Sequence, residues 1–214
     1  VFEKENIIGL NKGGKNITLE PGNQIELSGD KLNNMHEACA ESQNYLFELK
    51  QVTTKLGINI VSTGFDPISK NNEVPNNPKQ RYKLMTKSMP LGGELSLDMM
   101  YRTCGTQLNI DYKSEDDFKK KFLVINSIVP ITIALFANSS IVEKKNSNYL
   151  SYRSKVWQST SRGGLPKLFF ENLNFEKYAE FVMKFPILFI QHEYKYISGS
   201  NYTFADFMNG KINE

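Results

Sequence analysis

Leu19-Glu20-Pro21-Gly22-Asn23-Gln24-Ile25-Glu26-Leu27-Ser28-Gly29 is the stretch on which the reading of this chain turns. Apolar and polar residues alternate on both sides of a Pro-Gly pair, so 17–20 and 24–27 read as hairpin arms. Loop length decides what the two glutamates can do together. With Pro21-Gly22 alone in the turn, Glu20 and Glu26 project from opposite faces. With a three-residue loop, Pro21-Gly22-Asn23, Glu20 lies opposite Gln24, Glu26 lies opposite Thr18, and both carboxylates share one face. Two like charges there are costly unless a cation lies between them. Mg²⁺ suits such a pair, because it takes one or two carboxylates and completes its shell with water and phosphate. A surface hairpin with two solvated acids is the competing reading.

Moving outward, Ser28 or Asp30 can cap a helix over 32–56 that stops at Gly57. Leu32, Met35, Cys39, Leu46, Leu49, Val52 and Leu56 give it an apolar stripe. Residues 58–63 read as a short buried strand, and 66–79, rich in Pro and Asn, as a loop. A short helix over 81–88 and a turn at 89–93 precede two expected strands, 95–103 and 106–112. In the second, Leu108, Ile110 and Tyr112 alternate with Gln107, Asn109 and Asp111, so one face is polar. Ser114 caps a helix with Glu115, Asp116 and Asp117 in its first turn, and Pro130 kinks or restarts it. Two polar loops follow, over 143–150 and 163–166. Asn174 opens a helix to Phe185, 187–191 and 194–197 suggest a hairpin, and Thr203 caps a last short helix ending at Gly210. Hairpins with interspersed helices, rather than regular βαβ units, predict an α+β fold with a mainly antiparallel sheet.

At 214 residues the chain is long enough for a real core. A net charge of +3, with the basic residues dispersed, argues against a nucleic-acid partner. The longest apolar run, 122–137, is broken by Asn126, Ser127 and Pro130 and is no membrane span. Cys39 and Cys104 are too few for a disulfide framework and fit a reducing cytosol.

The hairpin run resembles the metal-site hairpin of glutamate–cysteine ligases, in the branch shared by plants and alphaproteobacteria. Further segments are similar to that family in order along the chain: 36–41 (HEACAE), 78–85 (PKQRYKLM), 97–104 (LDMMYRTC), 134–139 (ALFANS), 150–157 (LSYRSKVW) and 204–211 (FADFMNGK). The resemblance implies a curved antiparallel sheet with flanking helices, related to glutamine synthetase, whose concave face holds ATP, metal and amino acid. It also implies a single catalytic domain of which residues 1–214 are an internal part. The family's N-terminal portion carries a further acidic metal-binding strand, and its C-terminal portion an acidic and arginine motif of the same site.

The implied activity joins the γ-carboxylate of glutamate to the amine of cysteine through a γ-glutamyl phosphate, at the expense of ATP and with Mg²⁺. A carboxylate is a poor electrophile, so this chemistry needs acids for Mg²⁺ and arginines for phosphate and carboxylate. Glu20 and Glu26 match the metal-ligand hairpin. Gln107 and Asn109 match residues that face the site, with metal or nucleotide contact as their role and plain solvent exposure as the alternative. Arg153 matches the segment that recognises the glutamate carboxylate, and Trp157 shares its face if the stretch is helical. Arg102 binds phosphate or the carboxylate of cysteine, or else forms a buried ion pair with a structural acid, Asp98. Arg81 and Tyr82 match a family segment, with merely holding a loop as the alternative. His36 and Cys39 are a weak metal signal, better read as a histidine that caps the helix or supports a ligand from behind, and a core cysteine. The segment matching the plant enzymes' cysteine-bearing hairpin, 196–201, has no cysteine, which argues against that redox control. Two other functions stay open: a ligase using another amine acceptor, and a non-catalytic module binding an amino acid or nucleotide.

Overall fold

Strands β3 (Gly9–Lys12), β4 (Lys15–Leu19) and β5 (Ile25–Ser28) form a three-stranded antiparallel sheet in a computed structural model that describes residues 1–160, 171–193 and 195–212. Two shorter strands, β1 (Phe2–Glu3) and β2 (Asn6–Ile7), pair ahead of it. Helix α1 (Met35–Lys55) comes next, then α2 (Gln80–Ser88), a 3-10 turn at Met89–Gly92 and α3 (Ser96–Arg102). Helix α4 (Glu115–Leu135) leads to a small hairpin of β6 (Ile141–Val142) and β7 (Lys145–Asn146), then to α5 (Tyr152–Gln158) and α6 (Phe175–Met183). A hairpin of β8 (Phe189–His192) and β9 (Lys195–Ser198) precedes α7 (Phe204–Met208). The fold is α+β, and the ladders between the strands of the described residues are antiparallel, as the pattern implied. Among the described residues the strands form four separate small sheets rather than one continuous curved sheet.

Several boundaries follow from capping chemistry. Asn34, not Ser28 or Asp30, opens α1: its Oδ1 accepts the Glu37 N–H at 3.0 Å, while Glu37 reaches back to the Asn33 N–H at 2.8 Å. Gly57 closes the helix at φ 68°, with Ile58 N–H bonded to Thr53 and Gly57 N–H to Thr54. Ser114, Asn174 and Thr203 cap α4, α6 and α7 as their positions suggested. Pro130 lies inside α4, which continues through it to Leu135. The 143–150 loop is entered through the β6–β7 hairpin, whose turn residues Glu143 and Lys144 both take positive φ. The 163–166 loop lies outside the described residues.

Three expected elements differ. Residues 95–103 are not a strand: Leu97, Met99 and Met100 are good helix formers, and Asp98 pairs with Arg102 one turn later, so 96–102 coil into α3. Residues 58–63 and 106–112 form no strand, because no neighbouring strand offers them a ladder among the described residues. Their apolar side chains stay open to solvent; Val61 is 70% exposed and Leu108 62%.

The packed centre is small. Tyr82 of α2 meets Met100 and Tyr101 of α3, with Val74, Met85, Met89 and Leu97 around them. Tyr101 also hydrogen-bonds Thr86 through its hydroxyl. Phe65 and Val156 are fully buried nearby, and burying a side chain such as Met100 or Val156 contributes about 1.5–3 kcal/mol. Helices α1 and α4 bury no residue, and Cys39 is exposed rather than in the core. A second aromatic group, Tyr112, Phe118 and Phe175, joins α4 to α6 with ring centroids 5.2–5.7 Å apart.

Candidate functional site

The turn of the β4–β5 hairpin is a three-residue loop. Glu20 and Gln24 face each other, with Glu20 N–H bonded to the Gln24 carbonyl at 2.8 Å, and Asn23 N–H returns to the Glu20 carbonyl at 2.8 Å. Asn23 takes φ 61°, the left-handed position such loops need at their third residue. Thr18 pairs with Glu26. Glu20 and Glu26 therefore project from the same face as diagonal neighbours, a spacing of roughly 7–8 Å between backbones.

The rest of the chain clamps this turn. Asn77 N–H donates to the Pro21 carbonyl at 2.8 Å, and the Asn23 amide donates to the Pro75 carbonyl at 3.0 Å. Gly22 presses so close to α3 that a Cβ there would overlap the Tyr101 carbonyl oxygen. Gln24 accepts the Gly22 N–H at 2.8 Å and donates through Nε2 to the carbonyls of Tyr101 (2.9 Å) and Thr103 (3.2 Å). Lys79 is 4% exposed and donates to the Leu19 carbonyl at 2.8 Å. Its ammonium is pushed below the usual lysine value by burial and by Arg81, against the pull of Glu20, Glu3 and Glu26. The Tyr82 hydroxyl lies 3.4 Å from Glu20 Oε1. Beside the hairpin a cleft of about 210 Å³ is lined by Glu3, Thr18, Lys79, Arg81 and Tyr196 among others.

Neither Glu20 nor Glu26 forms an ion pair among the described residues, and Glu26 is exposed. Both offer hard oxygen donors on one rigid face, which fits a divalent cation that completes its shell elsewhere. No group of three or more acidic, histidine or cysteine side chains able to hold a metal is found among the described residues. Tyr45 on α1 has a buried hydroxyl with no partner there, and its proton is held more tightly by burial and by the Glu26 charge.

Arg153 lies on the first turn of α5. Its Nε donates to the Cys104 carbonyl at 2.9 Å, and its backbone N–H to Ser139 Oγ at 3.1 Å. The guanidinium carbon sits 5.6 Å from the Trp157 ring centre, so the helical stretch does place the two on one face. Gly64 and Gly105 leave room for the side chain; a Cβ on Gly105 would lie 2.9 Å from Nη2. Burial pushes the guanidinium below the usual arginine value, and no carboxylate among the described residues pairs with it.

Arg102 is engaged differently. It is 3% exposed, with Nη1 2.8 Å from Asp98 and the guanidinium 4.4 Å from the Phe65 ring centre. Its Nη1 also lies 3.6 Å from Glu143. Of the two roles open to it, the buried pair with Asp98 is the one the geometry displays. Gln107 and Asn109 are exposed on the unpaired segment and bond to each other at 3.0 Å, so the expected strand face is absent. His36 is exposed, and no metal group of three forms around it among the described residues.

Sequence reasoning missed Gln24, Asn77 and Lys79 as parts of the site. Gln24 had a signal, an amide beside a Pro-Gly turn where alternation alone predicts only a strand residue. Lys79 lay in the quoted 78–85 segment without an indication of burial.

The profile of the glutamate–cysteine ligase family 2 matches residues 3–209. The chain belongs to this family. Similar relatives include the chloroplastic glutamate–cysteine ligase of Nicotiana tabacum, 43% identical over 99% of this chain and 41% of that protein. Glutamate–cysteine ligase A of Oryza sativa subsp. japonica is 41% identical over 99% of this chain and 44% of its own length. The Arabidopsis thaliana enzyme is 41% identical over 99% of the chain and 41% of its own length. The chain thus spans about two-fifths of the length of the family relatives it matches. All three relatives are chloroplastic, which overturns the cytosolic placement read from the sparse cysteines. A low cysteine count reports a reducing environment and does not distinguish one such compartment from another. No helix among the described residues is long and apolar enough to cross a membrane.

Proposed function

We propose that this chain contributes part of the catalytic site of an ATP- and Mg²⁺-dependent ligase that joins the γ-carboxylate of glutamate to the amine of cysteine, the first step of glutathione synthesis. The observation that carries this reading is a pair of carboxylates on one clamped hairpin face, together with a half-buried arginine, none of which has an ion-pair partner among the described residues. Two like charges on one sheet face are costly unless a cation lies between them, and a guanidinium fork suits the carboxylate of a ligand. The family membership and the names of the relatives support the same reaction class.

In this reading Glu20 and Glu26 hold Mg²⁺, which would neutralise phosphoryl charge as ATP activates the γ-carboxylate to a γ-glutamyl phosphate. Arg153 binds a carboxylate of glutamate, its free guanidinium edge available for a bidentate contact while Nε stays on the Cys104 carbonyl. Trp157 backs the guanidinium and limits its rotation. Gln107 and Asn109 present neighbouring amides to metal or nucleotide. Arg102 acts through its pair with Asp98, holding the end of α3. The 214-residue chain alone has no ligase activity in this reading, since it spans about two-fifths of the length of its ligase relatives.

The test is phosphate release dependent on ATP and glutamate when cysteine is added, in the protein at its natural length. Release that vanishes in Glu20→Ala and in Arg153→Ala supports both the reaction and the assigned roles. Release with another amine but none with cysteine changes the acceptor, and silence with every amine rejects the ligase.

A further inference from the structure

Four successive carbonyls at the end of α3 connect the two halves of the site. Those of Tyr101 and Thr103 accept the Gln24 amide at 2.9 and 3.2 Å. That of Arg102 accepts the Asp66 N–H at 2.8 Å. That of Cys104 accepts Arg153 Nε at 2.9 Å. The carboxylate hairpin and the arginine are thus bonded to neighbouring peptide units of one short segment. Gly22 and Gly105 flank it: a Cβ on Gly22 would overlap the Tyr101 carbonyl oxygen, and one on Gly105 would lie 2.9 Å from the Arg153 guanidinium, which could shift aside. The close approach on the hairpin side rests on Gly22.

We propose that Gln24 is a positioning residue that sets the carboxylate hairpin in register with Arg153 through this run of carbonyls, so that carboxylate binding at Arg153 and metal binding at Glu20 and Glu26 depend on one another. The inference rests on the site assignment above. Gln24 is suited to the task because one side chain uses both ends: Oε1 fixes the turn through Gly22 N–H, and Nε2 fixes the turn to α3. An apolar side chain of similar length would leave two carbonyls at a helix end and one turn N–H without these partners. The carboxylates would then keep their hairpin but lose their fixed distance from the guanidinium. Misplacements of this kind weaken metal sites by about 10–100-fold without touching a ligand.

The experiment measures Mn²⁺ binding by electron paramagnetic resonance and glutamate binding by calorimetry, in the protein at its natural length. Gln24→Met and Gly22→Ala are compared with the parent at a temperature where circular dichroism shows all of them folded. The expected result is a loss of about tenfold or more in both affinities for either variant, although neither residue touches either ligand. Unchanged Mn²⁺ and glutamate affinities in a folded Gln24→Met protein, even with a lowered melting temperature, would leave Gln24 a structural residue and overturn the proposal. Glu20→Ala and Arg153→Ala separate the two levels. If Glu20→Ala binds Mn²⁺ as the parent does, the site assignment falls. If Glu20→Ala loses Mn²⁺ while Gln24→Met keeps both ligands, only the positioning role falls. Hydrogen exchange of the parent protein supplies an arm that needs no variant. Glutamate alone should slow exchange in peptides covering 20–27 as well as 100–106; protection confined to the neighbourhood of Arg153 would reject the coupling.

Discussion

Residues 15–28 and residues 106–112 carry the same alternating signal, yet one is a clamped hairpin and the other an unpaired strip. The hairpin holds its own partner, since β4 and β5 are joined through the three-residue loop 21–23 and each satisfies the other's backbone groups. The strip has no such partner among the described residues, and Leu108, Ile110 and Tyr112 remain 62%, 53% and 48% exposed. Alternation reports that a segment suits a pleated, half-buried surface; it does not report that a neighbouring strand is present. The candidate metal ligands fall on the region that is locally self-sufficient. Gln107 and Asn109 fall on the region that is not.

That contrast can be broken at its anchor. Arg102 secures the segment between the two regions, and Arg102→Met should destabilise the protein by about 3–5 kcal/mol, because it leaves Asp98 without its buried partner; urea denaturation measures it. A loss under 1 kcal/mol would mean that the Asp98 pair is not what holds α3. On the functional side, Glu20→Ala with Glu26→Ala should lower Mg²⁺-dependent phosphate release by at least about 100-fold, while Gln107→Ala with Asn109→Ala costs less. The reverse order would move the centre of the site from the hairpin to the strip.

Hydrogen exchange sharpens the comparison without mutation. Paired amides in 15–19 and 25–28 should exchange on the order of 100-fold more slowly than those of 106–112, and equal rates would dissolve the distinction. A pH effect should come from Asp66 beside the anchor. Burial acts to raise its carboxyl, but the Ile68 and Ser69 N–H groups, the Ser69 hydroxyl and the Arg102 charge outweigh it and hold it below the usual value. A depressed carboxyl contributes stability that is present above the unfolded value, about pH 4, and lost as pH falls through the folded one. Acid unfolding of Asp66→Asn should therefore show a flatter approach below about pH 4 than the parent. The smallest effect belongs to the strip: Leu108→Gln should change stability by no more than about 0.5 kcal/mol. A larger loss would reveal a partner for that face.

What could be read in the sequence is what neighbouring residues decide among themselves. Caps at Ser114, Asn174 and Thr203, the stop at Gly57 and the β8–β9 hairpin all depend on hydrogen bonds a few residues long. The quoted motifs led to the family for the same reason, since they are local wording. Sequence left open whether the 20–26 loop held two residues or three, and so whether the glutamates share a face. Structure decided it through Asn23 in the left-handed region and the Thr18–Glu26 pairing. Only the tertiary structure set the apolar side of 96–102 against Tyr82 from a distant segment. It likewise made Arg102 a buried partner of Asp98 beneath Phe65, and brought Asn77, Lys79 and the end of α3 onto the hairpin turn. Gln24 shows the division within one residue. Its place beside the turn was written in the sequence, but its carbonyl partners lie 77 and 79 positions away, and no local propensity encodes a contact at that range.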